Sequence, residues 1–189
     1  LEEGQTETVQ EELASLIASL GLDYIALIAT RPQNWSDEAG HRQAFADQLS
    51  QAIMMGAKKA AVHAGSDGFT LSQATGFLRD CDLQARDLGL DACFETHRGR
   101  PLSDPFRTAA ILDQLPDLRL TSDLSHWLVV IDRLPDDCMD LFLRASCQSR
   151  HLHARIGHEK GPQVPDPRDP LWSEHLSFFR QCWQASIEA

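Results

Sequence analysis

The chain has 189 residues, 42% of them apolar and 24% charged, which suits one globular domain of ordinary composition. Its 17 Lys+Arg against 28 Asp+Glu leave a net charge of −11. An acidic surface of that size repels phosphate backbones, and no Lys/Arg-rich run offsets it, so general nucleic-acid binding is not expected.

No apolar run approaches the roughly 18 residues that a membrane helix needs. The first ten residues are acidic and polar, unlike a secretory leader. The chain opens on Leu1, so a preceding segment is conceivable. The five cysteines, Cys81, Cys93, Cys138, Cys147 and Cys182, are odd in number and form no C-x-x-C pair. They read as free, mostly buried thiols in a reducing compartment, hence a cytoplasmic protein.

In chain order, Val9, Leu13, Leu16, Ile17 and Leu20 line one helix face over residues 7–20, and Gly21 ends it. The unbroken apolar run 24–29 reads as a strand covered on both faces. Ser36 is placed to cap a helix, with Asp37 and Glu38 in its first turn and Phe45, Leu49, Ala52 and Ile53 inward. Residues 60–63 form the next strand. Leu71, Ala74, Leu78, Cys81, Ala85 and Leu88 then mark a long amphipathic helix closed by Gly89. Residues 91–95 are a strand. Asp104-Pro105 starts a further helix that stops before Pro116. Residues 118–123 and 150–156 are strands separated by a helical region near 136–145. A proline-rich loop over 161–170 leads into a last helix from about Ser173 to Gln184, with Leu176, Phe179 and Trp183 inward.

Strict alternation of helix and strand implies a parallel sheet with right-handed crossovers. Thr30, His63, Glu95, Asp123 and His153 fall where the five strand-like runs give out, about 30 residues apart, the length of one βα unit. Chemically able residues at nearly every strand end favour a (β/α)8 TIM barrel over a doubly wound sheet, which would gather them beside a Gly-rich turn that this chain lacks. The expected fold is therefore an α/β TIM barrel, one domain over residues 1–189. With about five βα units against the roughly 250 residues of a whole barrel, it is an incomplete one. Open sheet edges make association into a homo-oligomer an expectation.

Glu95, Asp123 and His153 should meet at the mouth. Two carboxylates and an imidazole match the ligand preferences of Mn²⁺, Mg²⁺, Co²⁺ or Zn²⁺, and one such ion would relieve the repulsion between the acids. His151 and His153 share a strand face, and His153, nearer the end, is the better ligand. His126, three residues after Asp123, is read as a substrate-holding group, with a surface loop histidine as the bland alternative. His63, His97, Arg98 and Arg155 are placed to fix hydroxyls, a carboxylate or a phosphate. Trp35 and Trp127 are candidates for stacking on a sugar or for plain packing. His41 and His175 read as surface residues. There is no G-x-S-x-G elbow, and no cysteine has an activating context.

The runs Phe94-Glu95-Thr96-His97-Arg98-Gly99-Arg100, Ser122-Asp123-Leu124-Ser125-His126-Trp127 and His153-Ala154-Arg155-Ile156-Gly157, with Gly161-Pro162-Gln163-Val164, resemble the xylose isomerase-like TIM-barrel superfamily, and within it the sugar phosphate isomerase/epimerase group. The resemblance covers roughly residues 24 to 172. It implies one divalent metal held by Glu95, Asp123, His153 and a further Glu from an eighth strand that nothing here matches, Glu159 lying too early. It implies metal-dependent isomerisation or epimerisation of a sugar or sugar phosphate through an enediolate. Glu95 would shuttle the proton, and His63, His97, His126 and Arg155 would hold the carbohydrate. Two alternatives stand beside this: a metal-dependent endonuclease on abasic DNA, from the same superfamily, and a non-catalytic sugar- or metal-binding relative.

Overall fold

The computed structural model describes residues 3–189, with side chains from residue 9 onward. Leu1, on which the expectation of a preceding segment rests, and Glu2 lie outside the described residues. Five strands, β1 (Ile25–Ala29), β2 (Lys59–His63), β3 (Asp91–Glu95), β4 (Leu120–Ser122) and β5 (Ser149–Leu152), pair in parallel in their sequence order. The order runs from β1 to β5 without a reversal. A doubly wound sheet reverses at its switch point, so this is an arc of a barrel, as the alternation of elements predicts.

Among the described residues seven α-helices accompany the sheet: α1 (Glu3–Ser19), α2 (Glu38–Met54), α3 (Leu71–Asp87), α4 (Pro105–Leu112), α5 (Ser125–Ile131), α6 (Met139–Cys147) and α7 (Ser173–Glu188). Helix starts follow local chemistry. Thr70 and Gln73 form a reciprocal capping box on α3, and the Asp104 carboxylate accepts from the Arg107 N–H at the head of α4. At α2 the helix begins one residue later than Ser36 would set, with Asp37 at the cap and no side-chain bond there. The core lies between the sheet's outer face and α2–α7, from Ile28 and Phe45 through Phe77 and Phe94 to Trp127, Phe142 and Phe179.

Two expectations of burial fail, for one reason. On β1 only Ala26 and Ile28 are buried, while Ile25 and Leu27 on the open inner face are 47% and 61% exposed. Barrel strands have their inner faces covered by strands across the barrel, and the five described here curve without closing. The apolar face expected for α1 is likewise uncovered, with Val9, Leu13, Leu16 and Leu20 exposed. Of the cysteines, Cys147 is exposed and the other four are buried; none is bonded. No described helix is long and apolar enough to cross a membrane.

Candidate metal and carbohydrate site

The βα loops bring the strand ends to one cleft of about 580 Å³, lined by His63, Glu95, Asp123, His126, His153 and Arg155 among others. Glu95 is the last residue of β3, and Asp123 lies one residue beyond β4. Both are 3% exposed or less. His153 sits one residue past β5, shorter than expected, and its N–H donates to the Ser122 carbonyl at 3.0 Å, which extends the pairing far enough to aim the ring. One ligand atom each from Glu95, Asp123 and His153 lie within 4.8 Å of one another. His63, Glu95 and His97 form a second such group, so Glu95 belongs to both.

Glu95 Oε2 contacts His63 Nε2 and lies 3.2 Å from His153 Nδ1. Burial acts to raise this carboxyl, but the His153 and His63 hydrogen bonds outweigh it and hold the group at about 2. His153 is raised, chiefly by the same bond to Glu95. Asp123 is held by three groups. Ser125 Oγ donates to its Oδ1 at 2.5 Å, and Arg155 reaches Oδ1 through Nε at 3.2 Å and Oδ2 through Nη2 at 2.7 Å. The Asp123 N–H donates to Thr96 Oγ1 at 2.9 Å. Gly157 allows this closure, since a Cβ there would stand 2.7 Å from that of Ser125. Thr96 and Ser125 carry no part in the sequence reading, although a Ser two residues after an Asp is a recurrent carboxylate partner.

His126 is not a surface loop residue. It is the second residue of α5, a helix that no sequence signal marks, and is 4% exposed. Burial first, then His97 and Arg155, push it down to about 3, so it is neutral. Arg155 Nη2 donates to its Nε2 at 2.6 Å, which assigns the proton to Nδ1, a buried donor with no protein partner. His97 packs on it with ring centroids 3.8 Å apart. His97 Nδ1 donates to the Arg98 carbonyl at 2.5 Å, leaving an Nε2 lone pair to accept from a ligand; burial lowers its pKa too. His151 lines the cleft beside His153, with centroids 5.1 Å apart.

Other expected surface or stacking roles change. His41 is fully buried between Thr30 Oγ1, 2.5 Å away, and the Trp35 carbonyl. His175 is partly buried and paired with Glu159 at 3.2 Å. Trp127 is fully buried and donates to the Leu102 carbonyl, so stacking on a sugar is closed to it. Trp35 is 39% exposed with Arg100 over its ring.

These histidines set a pH response. Burial lowers the folded-state pKa of His41, His97 and His126 below 6.5, so their contribution is complete above 6.5 and is lost as pH falls toward the folded values. The raised His153 acts in the opposite sense and is outnumbered. The urea midpoint should therefore fall between pH 7 and pH 5. His41→Gln, which keeps hydrogen-bonding capacity without the titration, should flatten the slope; an unchanged slope would remove His41 from the account.

No family model and no curated protein matches the sequence. Solved structures do match. An L-ribulose 3-epimerase is 18% identical, with a TM-score of 0.57 over 77% of this chain and 55% of its own. The fold is that of part of a TIM barrel. A xylose isomerase-like TIM barrel protein from Mycobacterium smegmatis in complex with magnesium matches at 17% identity and TM-score 0.57, over 82% of this chain and 57% of that one. An AP endonuclease, family 2, from Brucella melitensis matches at 12% and 0.55, over 92% and 74%. The chain thus spans a little over half of the first two barrels, and five of a barrel's strands are present in the described residues.

Proposed function

We propose that this chain acts in divalent-metal-dependent isomerisation or epimerisation of a sugar or sugar phosphate, with the metal held by Glu95, Asp123 and His153. The observation that carries the reading is the convergence of two buried carboxylates and one imidazole from three successive strand ends. Carboxylate oxygens with one imidazole nitrogen suit Mn²⁺, Mg²⁺, Co²⁺ or Zn²⁺. A barrel of this type is known in complex with magnesium. When bound, such an ion supplies Lewis-acid polarisation of a carbonyl and its neighbouring hydroxyl.

The chain's own groups divide the remaining work. The His97 Nε2 lone pair accepts from a sugar hydroxyl. Arg155 holds Asp123 and His126 in place and presents its remaining donor edge to the cleft, with His126 packed against it. His63 fixes one oxygen of Glu95. Glu95 takes the proton from the carbon beside the carbonyl, leaving an enediolate, and for isomerisation returns it to the neighbouring carbon. A carboxyl held at about 2 is a weak base, so this step requires the His63 and His153 bonds to loosen as substrate binds.

The test is uptake of solvent deuterium beside the carbonyl across a panel of ketoses with Mn²⁺, alongside the number of ions per chain. One ion and exchange on at least one sugar are expected. One ion with neither exchange nor turnover of any sugar would favour a non-catalytic relative, whereas turnover without exchange would point to a hydride shift. A second reading has its own observation, the His63–Glu95–His97 group sharing Glu95, and the likeness to an AP endonuclease. More than one ion per chain with cleavage of an abasic duplex would decide for it.

A further inference from the structure

Arg98 lines the cleft and forms no ion pair among the described residues, and two more arginines close to it in the fold, Arg31 and Arg100, likewise form none. Arg31 lies just beyond β1, and Arg98 and Arg100 lie in the turn after β3. The chain's acids outnumber its bases 28 to 17. Other arginines are divided: Arg42 pairs with Glu38 and Asp80, and Arg144 with Asp113, while Arg79, Arg107, Arg150 and Arg180 also form no ion pair among the described residues. What sets this group apart is its place beside the cleft and the burial of Arg100.

Arg100 is 5% exposed, and its Nη1 donates to the carbonyls of Thr30 and Gly65, each at 2.9 Å. The Trp35 ring lies 4.5 Å from the guanidinium carbon. Carbonyls and a ring face solvate the charge without cancelling it. Burial, and after it repulsion from Arg31, bring this guanidinium down to about 10 against the weaker pull of Glu95 and Asp67. Two like charges held together beside a cleft are costly unless an anion joins them.

The turn also presents a third charge. The His97 ring holds the Arg98 carbonyl, and the Arg100 N–H donates to the His97 carbonyl at 3.1 Å, with Gly99 between them at φ 77°. The Arg98 backbone is therefore fixed on both sides. Its exposed side chain lines the same cleft as Glu95, Asp123 and His153, and its guanidinium donates to no protein group among the described residues. A planar fork on a rigid turn suits an oxyanion.

We propose that Arg98, with Arg31 and the buried Arg100 behind it, seats an anionic group carried by the sugar, a phosphate ester or a carboxylate. This rests on the isomerase reading and narrows its substrate class. Glu95, Asp123 and His153 would hold the reacting end, and the arginines the charged end.

The test is calorimetric binding of three ligands to the full chain in EDTA, so that no ion bridges to the anion: a pentulose, its terminal phosphate ester and the matching sugar acid. At least one anionic sugar should bind roughly 10-fold tighter than the neutral one. Arg98→Ala should reduce that advantage to within about 2-fold, Arg98→Lys should keep part of it, and high salt should shrink it. Whichever of ester and acid is preferred names the source of the anion. Equal affinity for all three, no detectable binding of either anion, or an advantage that survives Arg98→Ala overturns the seat. An abasic duplex that binds tighter than every sugar, and loses as much on Arg98→Ala, also overturns it, in favour of a polyanion. The isomerase reading is judged separately. Deuterium uptake on sugars of any charge without anion preference leaves that reading and removes the seat. Anion preference lost in Arg98→Ala, with neither uptake nor turnover on any sugar, keeps the seat and removes that reading.

Discussion

Glu95→Gln should leave the chain folded and weaken binding of Mn²⁺ or Mg²⁺ by a factor of about 100 or more. Losing even an outer partner of a ligand commonly costs 10- to 100-fold in affinity, and Glu95 is proposed as a ligand in its own right. Its carboxylate belongs to both candidate groups, so no neighbouring arrangement of His63, His97, Asp123 and His153 replaces it. The fold should tolerate the change, because an amide oxygen still accepts from an imidazole and the shape is kept. Asp123→Ala is the harsher variant. It leaves Arg155 and Ser125 without the carboxylate they share, and a guanidinium stripped of its partner destabilises as well as unbinds. Manganese titration followed by electron paramagnetic resonance, with the urea midpoint as control, separates the two effects. Retained affinity in Glu95→Gln would move the metal elsewhere. Glu95 also leaves a mark on acid stability. Its folded pKa of about 2 lies below the ordinary 4.5, so its contribution is present above 4.5 and lost as pH falls toward 2. Glu95→Gln should flatten that part of the acid unfolding curve.

The residues that meet in the cleft were legible because a barrel turns sequence spacing into position. One ionisable group where each strand-like run gives out, at intervals of one βα unit, placed Glu95, Asp123 and His153 together before any geometry was known. What spacing does not carry is contact between distant segments. His41 is a polar residue on an amphipathic helix, and its burial is decided by Thr30, eleven residues away at the end of β1. Arg100 is one more charged residue in a turn until the Thr30 and Gly65 carbonyls are seen to converge on it. Helix α5 was hidden for a different reason. Its residues Val129, Val130 and Ile131 are strand formers by type, and Leu124 at its start offers no capping oxygen, so neither periodicity nor a start signal marks it. The run 24–29 carries no alternation because a closed barrel buries both faces of a strand. Its inner face is uncovered here, where the described strands form only an arc.

Trp127→Ala should cost about 3–5 kcal/mol of stability, the range for removing a large aromatic from a packed core. The ring is fully buried, meets Phe142 edge to face at 5.0 Å, and satisfies the Leu102 carbonyl through Nε1. Trp127→Phe keeps much of the packing and removes the hydrogen bond, so about 1–2 kcal/mol is expected. Urea unfolding gives both values, and sugar binding by Trp127→Phe should stay within about 2-fold of wild type, since that ring does not reach the cleft. A variant that kept its stability and lost its sugar would restore the stacking role. The position matters beyond its own contacts because α5 is short and begins with Ser125 and His126, which hold Asp123 and Arg155. Trp127 and Leu128 are the apolar side chains that pin this helix to the core. Loosening them should therefore weaken metal binding in Trp127→Ala although no ligand is touched, and the loss should follow the fraction of chain unfolded at each urea concentration.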